Sequence, residues 1–285
     1  MAMLSLGVWI PSAAITANLS QYSSAKPRVV VDAAHGNFHT AEGRYAGFAQ
    51  LLKQHGYVVS SSTAVFSRDW LDTIDILVIA NALHPANVDS WQDPILSAFT
   101  REEIEIVGNW VQSGGSLLLI ADHYPFPAAA ADLAAHFDFH LENGFAFRSQ
   151  PRTIDFFTRS TGDLHDHPIT RATPDTPPIE VIASFTGTGF KIPATALPLL
   201  ELNEDFTIWK PTRAWEFSSE TPRIKASGHF QGATIEFGDG RAAIFGEAAM
   251  FTDQQSGGFR SAEAPQNAAF ILNTMRWLSE GANRR

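Results

Sequence analysis

The chain has 285 residues, 45% apolar and 18% charged, a balance that rules out disorder and allows a sizeable buried core. Its 30 acidic against 20 basic residues give a net charge of -10 with no Lys/Arg cluster, which argues against nucleic acid and against an anionic membrane surface as partners. Cysteine is absent, which removes disulfides, thiolate metal sites and cysteine nucleophiles together.

Residues 4–17 (LSLGVWIPSAAITA) are mostly apolar and small and are followed by a polar stretch. They resemble the hydrophobic and cleavage-site part of a secretory signal without its basic start. The run is too short, and too interrupted by Pro11, to span a bilayer. The expectation is an N-terminal arm or signal remnant over 1–25, a single α/β domain over 26–285, and a periplasmic or extracellular location. A packed arm on a cytoplasmic protein is the alternative.

From Arg28 onward, short apolar runs alternate with amphipathic stretches, the pattern of an α/β sheet. Val29 to Val31 predict a first buried strand, and residues 43–55 a helix ended by Gly56. Residues 57–59 predict the second strand. Residues 76–80 (ILVIA) are too uniformly apolar for anything but an interior parallel strand. Thr100-Arg101-Glu102-Glu103 is a capping box, and the helix behind it closes at Gly114-Gly115. Residues 116–121 (SLLLIA) predict a fourth strand and 128–137 a helix. The stretch 138–231 is richer in proline, threonine and short alternating runs, so a β-rich insertion is expected there. A hairpin turning at Gly238-Asp239-Gly240 and a last helix over 267–280 complete the chain.

In a parallel sheet, ligands bind outside the carboxyl ends of the strands. Those ends carry Asp32, His35, Asn37 and His39, then Asn81 and His84, then Asp122-His123 followed by Tyr124, and finally Glu247. Each has an ordinary reading as a turn or cap residue, but their convergence from four strand ends points to a pocket. A Gly-x-Ser-x-Gly elbow, a phosphate-binding glycine loop and His-Glu-x-x-His are all missing from the sequence. His165-Asp166-His167, followed by Pro168, reads as a surface turn.

The runs HGNFHT (35–40), GGSLLLIADH (114–123), DHPIT (166–170) and FGEAAMFTDQ (245–254), with the final helix NAAFILNTMRWL, resemble an uncharacterised bacterial family. That family belongs to the class I glutamine amidotransferase-like superfamily, in the neighbourhood of the ThuA-like proteins. The resemblance spans about residues 28–281. It implies a flavodoxin-like three-layer sandwich with a mainly parallel sheet and a β-rich insertion. Amidotransferases of this superfamily place a cysteine nucleophile after a central strand, where this chain has Asp122-His123, so thiolate chemistry does not carry over.

Two functions follow from the residues. One is a hydrolase acting on an ester, amide or glycan derivative, with His123, Asp122 and Glu247 catalytic. In it Asp122 orients His123, which activates water, and Glu247 serves as the acid partner. Its metal-assisted form would hold a divalent ion such as Zn on Asp32, His35 and His123. The other is a non-catalytic sugar- or small-ligand-binding protein of the cell envelope, with Asn37, His39, Asn81, His84 and Tyr124 at the ligand. There Tyr124, Phe126, Phe190 and Phe251 would flank the ligand as stacking surfaces.

Overall fold

Three consecutive valines seed the centre of a sheet in strand β1 (Arg28–Asp32), and successive side chains of that strand point to opposite faces, each of them covered. The computed structural model describes residues 26–149, 154–173, 176–254 and 258–282. The signal-like run over 4–17 lies outside these residues. Helix α1 (Ala46–Gln54), strand β2 (Val58–Ser62), the short helix α2 (Arg68–Leu71) and strand β3 (Ile76–Ala80) follow in order. Helix α3 (Arg101–Gln112) starts at the expected capping box. The Thr100 hydroxyl accepts from the Glu103 N–H at 3.2 Å while the Glu103 carboxylate accepts from the Thr100 N–H at 3.0 Å. Strand β4 (Ser116–Ile120) and helix α4 (Phe126–Ala135) complete the first half.

Among the described residues, the regular structure of the insertion is all β. It contributes β5 (His140–Leu141), β6 (Phe145–Arg148), β7 (Asp155–Thr158), β8 (Val181–Ser184), β9 (Phe190–Lys191), β10 (Leu197–Leu202), β11 (Phe206–Trp209) and β12 (Arg223–Lys225). The chain then returns through β13 (His229–Phe237), β14 (Gly240–Phe245) and helix α5 (Asn267–Ala282). A two-residue loop joins β13 to β14, with Gly238 in the left-handed region at φ 62°.

The main sheet runs in the order β2-β1-β3-β4-β14-β13-β9-β5, with β10 also paired to β13. From β2 to β14 every pairing is parallel, and β13 is antiparallel to β14. Two apolar cores sandwich the sheet. Val29, Val31, Ile76, Val78 and Phe245 pack with α1 and α5. Val30, Leu77, Ile79, Leu117 and Ile244 pack with α3 and α4. The result is a flavodoxin-like three-layer sandwich with a mainly parallel sheet and a β-rich insertion. Strand order reverses between β1 and β3, which opens a crevice at their carboxyl ends. Among the described residues, no helix is long and apolar enough to cross a membrane.

Candidate functional site

Asn81, the residue after β3, ties three strand ends together. It adopts a left-handed conformation (φ 51°), which asparagine tolerates. Its Oδ1 accepts from the Asp122 N–H at 2.9 Å. Its Nδ2 donates to His39 Nδ1 at 3.2 Å. Its carbonyl accepts from the Phe38 N–H at 2.9 Å. Since His39 Nδ1 is an acceptor, a neutral His39 carries its proton on Nε2. Burial, with help from the positive charge of Arg44 and from His123, depresses His39 to about 3, so it stays neutral at any ordinary pH.

Asp122 and Glu247, at the ends of β4 and β14, lie in one buried polar patch beneath this clasp. Glu247 is wholly buried. Its carboxylate accepts from the Ala249 N–H at 2.7 Å and the Met250 N–H at 2.8 Å. Asp122 accepts from the His123 N–H at 2.7 Å. Burial raises both carboxyl groups, Glu247 most, and the Asp122 charge pushes Glu247 further up. The buried Tyr45 hydroxyl donates to the Ala248 carbonyl at 3.2 Å and closes the patch. Neither carboxyl group is presented to a ligand.

His123 is the half-buried member. Its Nδ1 lies 2.8 Å from the Tyr124 carbonyl, which can only accept, so in the neutral ring the proton sits on Nδ1 and Nε2 carries the lone pair. Among the described residues Nε2 has no hydrogen-bond partner. The Tyr124 carbonyl, and not the Asp122 carboxylate, therefore orients this imidazole, because Asp122 is occupied by the His123 backbone. The expected Asp122–His123 side-chain pair is corrected accordingly.

The rings around His123 form a strip. It stacks on Phe145 (centroids 4.6 Å apart, planes at 13°) and meets Trp215 edge-on at 4.8 Å. Phe126 lies 5.9 Å away and Trp91 6.4 Å away, and Phe38 continues the strip 5.4 Å beyond Trp91. Phe126 and Phe145 are buried and form the floor, whereas Phe38 is 39% exposed and Trp215 52% exposed. Trp215 is held at φ 66°, an uncommon conformation for a bulky residue that the surrounding loop must impose. That loop is strapped to the segment before α3. Ala214 N–H donates to the Trp91 carbonyl at 2.9 Å and Asp93 N–H to the Thr212 carbonyl at 2.9 Å. The Tyr124 hydroxyl lies within hydrogen-bonding distance of Asp93 Oδ1 (3.0 Å) and the Thr212 carbonyl (2.9 Å).

Other expected site residues have different work. His35 is buried, with Nδ1 2.8 Å from Asp32 Oδ2 and Nε2 2.9 Å from Glu103 Oε1, and its ring packs on Phe66 and Phe99. Burial opposes its charge, but the two carboxylates outweigh it and raise His35 above 6.5. With both ring nitrogens engaged, His35 has no lone pair for a metal. Among the described residues no group of three or more His, Asp and Glu is placed to hold an ion, so Asp32, His35 and His123 do not form the expected metal set. Asn37 Oδ1 accepts from the His35 N–H at 3.0 Å, and Gly36 is needed at φ 55° because a Cβ there would lie 2.8 Å from the Leu83 carbonyl oxygen. His84 Nδ1 accepts from the Ala86 N–H at 3.1 Å and caps a single 3-10 turn.

Tyr124, Phe126, Phe190 and Phe251, expected as stacking surfaces, are all buried. The exposed rings are those of Phe38 and Trp215 instead, with Trp91 half-buried between them. Phe38 was visible within HGNFHT, but nothing near Trp215 in sequence ties it to the strand ends. The surface-turn reading of residues 165–167 is half right. His165 is partly exposed and pairs with Glu201 at 2.8 Å, whereas His167 is buried, with Nε2 2.8 Å from the Thr234 hydroxyl.

The chain matches no protein-family model and no curated protein. Solved structures share its fold at low identity. The mmIFT52 N-terminal domain is 13% identical with a TM-score of 0.64, over 88% of this chain and 97% of that one. A cytoplasmic protein from Salmonella typhimurium LT2 is 12% identical with a TM-score of 0.50, over 88% and 99%. A ThuA-like protein from Parabacteroides merdae is 11% identical with a TM-score of 0.49, over 90% and 91%. At these identities the likeness concerns fold alone.

Proposed function

We propose that this chain is a binding protein for a saccharide-type small ligand, seated on the aromatic strip at the carboxyl ends of β1, β3 and β4. The observation that carries this reading is the exposed Trp215 ring, held in a left-handed backbone beside His123 and in line with Trp91 and Phe38. Sugar rings present apolar C–H faces that pack on exposed aromatic rings, while a few placed polar groups fix their orientation. His123 Nε2 is an acceptor suited to a sugar hydroxyl. Membership of the amidotransferase-like superfamily, near the ThuA-like proteins, fits the parallel strand order, although Asp122-His123 stands after β4 where that superfamily has its cysteine. A location in the cell envelope agrees with the signal-like run at 4–17.

A second reading, hydrolysis of a bound glycan, ester or amide, is favoured by the same nitrogen. With Nδ1–H fixed on the Tyr124 carbonyl, Nε2 is poised to take a proton from water. Asp122 and Glu247 then act from below as a buried pair that shapes the loop, without touching the substrate.

A saccharide screen by calorimetry and by product release tests both. Binding without turnover, lost in Trp215→Ala and His123→Ala proteins that still fold, supports the binding reading. Turnover abolished by His123→Ala with binding retained selects the hydrolase. Binding unaffected by both substitutions refutes the location.

A further inference from the structure

One end of the aromatic strip is cationic. The Arg44 guanidinium carbon sits 4.2 Å from the centroid of the Phe38 ring, and Arg44 has no acidic partner among the described residues. An unpaired cation is unexpected on a chain of net charge -10. Three acids close in sequence to Arg44, Trp91 and Trp215 already have partners. Glu42 accepts from the Ser61 hydroxyl at 2.5 Å, Asp93 lies 3.0 Å from the Tyr124 hydroxyl, and Glu216 pairs with Arg213 at 3.2 Å. Arg44 is also close enough to the crevice for its charge to act on His39. A guanidinium resting on a ring face keeps its N–H edge for a planar anion, which it binds through paired charge-assisted hydrogen bonds. His39 is a neutral donor at Nε2, His123 presents a lone pair, and the Asp122 and Glu247 carboxyl groups are buried beneath.

We infer that the ligand is an acidic saccharide, whose carboxylate pairs with Arg44 while its sugar faces rest on Phe38, Trp91 and Trp215. This inference rests on the binding reading above and adds the ligand's chemical class. A neutral sugar would use the rings and leave Arg44 idle. A simple anion would use Arg44 and leave an exposed tryptophan and phenylalanine uncovered.

The test is calorimetric titration of the full chain with short oligosaccharides of homogalacturonan, alginate and hyaluronan, and with the same three after chemical reduction of their carboxyl groups. Wild type, Arg44→Gln and Arg44→Lys are compared at low and moderate salt. The expected result is that at least one acidic oligosaccharide binds and that carboxyl reduction weakens it about tenfold or more. Arg44→Gln should weaken the acidic form by a similar factor and leave the reduced form unchanged, Arg44→Lys should recover part of the loss, and added salt should erode the difference. Equal binding of acidic and reduced forms, or an equal loss of both in Arg44→Gln, overturns this inference and leaves the saccharide reading standing. No binding to any of the six overturns both.

Discussion

Replacing His35 by alanine should be among the most damaging substitutions in the protein, although His35 touches no ligand. Its imidazolium is held between Asp32 at 2.8 Å and Glu103 at 2.9 Å, and all three side chains are at most 8% exposed. The substitution removes two charge-assisted hydrogen bonds, opens a gap against Phe66 and Phe99, and leaves two buried carboxylates facing it. Breaking a buried ion pair from one side costs about 3–5 kcal/mol. At roughly 2–4 °C per kcal/mol for a domain of this size, the unfolding temperature should fall by about 6–20 °C.

The pH dependence carries the mechanism. Because His35 titrates above 6.5 when folded, its contribution is complete below pH 6.5 and is lost as pH rises through the folded value. Glu103 behaves in the opposite sense. Burial pushes it up, but the hydrogen bonds from Thr100 and His35 outweigh that and hold it below 4.5, so its contribution is present above pH 4.5 and is lost on acidification. The stability gap between wild type and His35→Ala, followed by thermal unfolding, should therefore be widest near pH 5–6 and narrow from pH 6.5 upward. A gap that widens above pH 6.5, or a cost under about 1 kcal/mol at pH 6, would refute a charged His35 clamp.

Three further outcomes follow from the same structure. Thr100→Ala removes one partner of the capping box and should cost about 0.5–2 kcal/mol by thermal or urea unfolding, with ligand binding unchanged. His165→Ala, which breaks a partly exposed pair with Glu201, should cost under about 1 kcal/mol. His167→Ala, which empties a buried site and strands the Thr234 hydroxyl, should cost more than about 2 kcal/mol in the same assay. Deleting residues 2–20 should leave the unfolding temperature of the remaining chain unchanged. A loss of several kcal/mol would show that Leu4, Val8 and Trp9 belong to the core, since each buried side chain of that size contributes roughly 1.5–3 kcal/mol.

Much of the fold was legible because its signals are local. The runs at 29–31, 76–80 and 116–121 are apolar on both faces, which only a strand covered on both sides requires, and Thr100 with Glu103 marks a helix start within four residues. The strand ends were legible for the same reason, so the polar residues that meet at the crevice were named in advance. Their roles were not, because a role depends on what lies across space. Nothing in the sequence shows that Glu103, 68 residues away, takes the second nitrogen of His35 and so removes it as a ligand. Nor does it show that the Tyr124 carbonyl orients His123, or that Glu247 spends both oxygens on the turn behind it. The exposed rings were the hardest to foresee. Trp215 comes from the insertion and is brought to His123 by the straps at Trp91, Asp93 and Thr212 and by its packing on Phe145.

The location of the ligand can be seen in a crystal structure with the tightest-binding saccharide of the screen. The expected density is a sugar face packed on the Trp215 indole, a hydroxyl within hydrogen-bonding distance of His123 Nε2, and no ligand atom touching Glu247. A saccharide bound away from the carboxyl ends of β1, β3 and β4, with Trp215 and His123 uncovered, would contradict it.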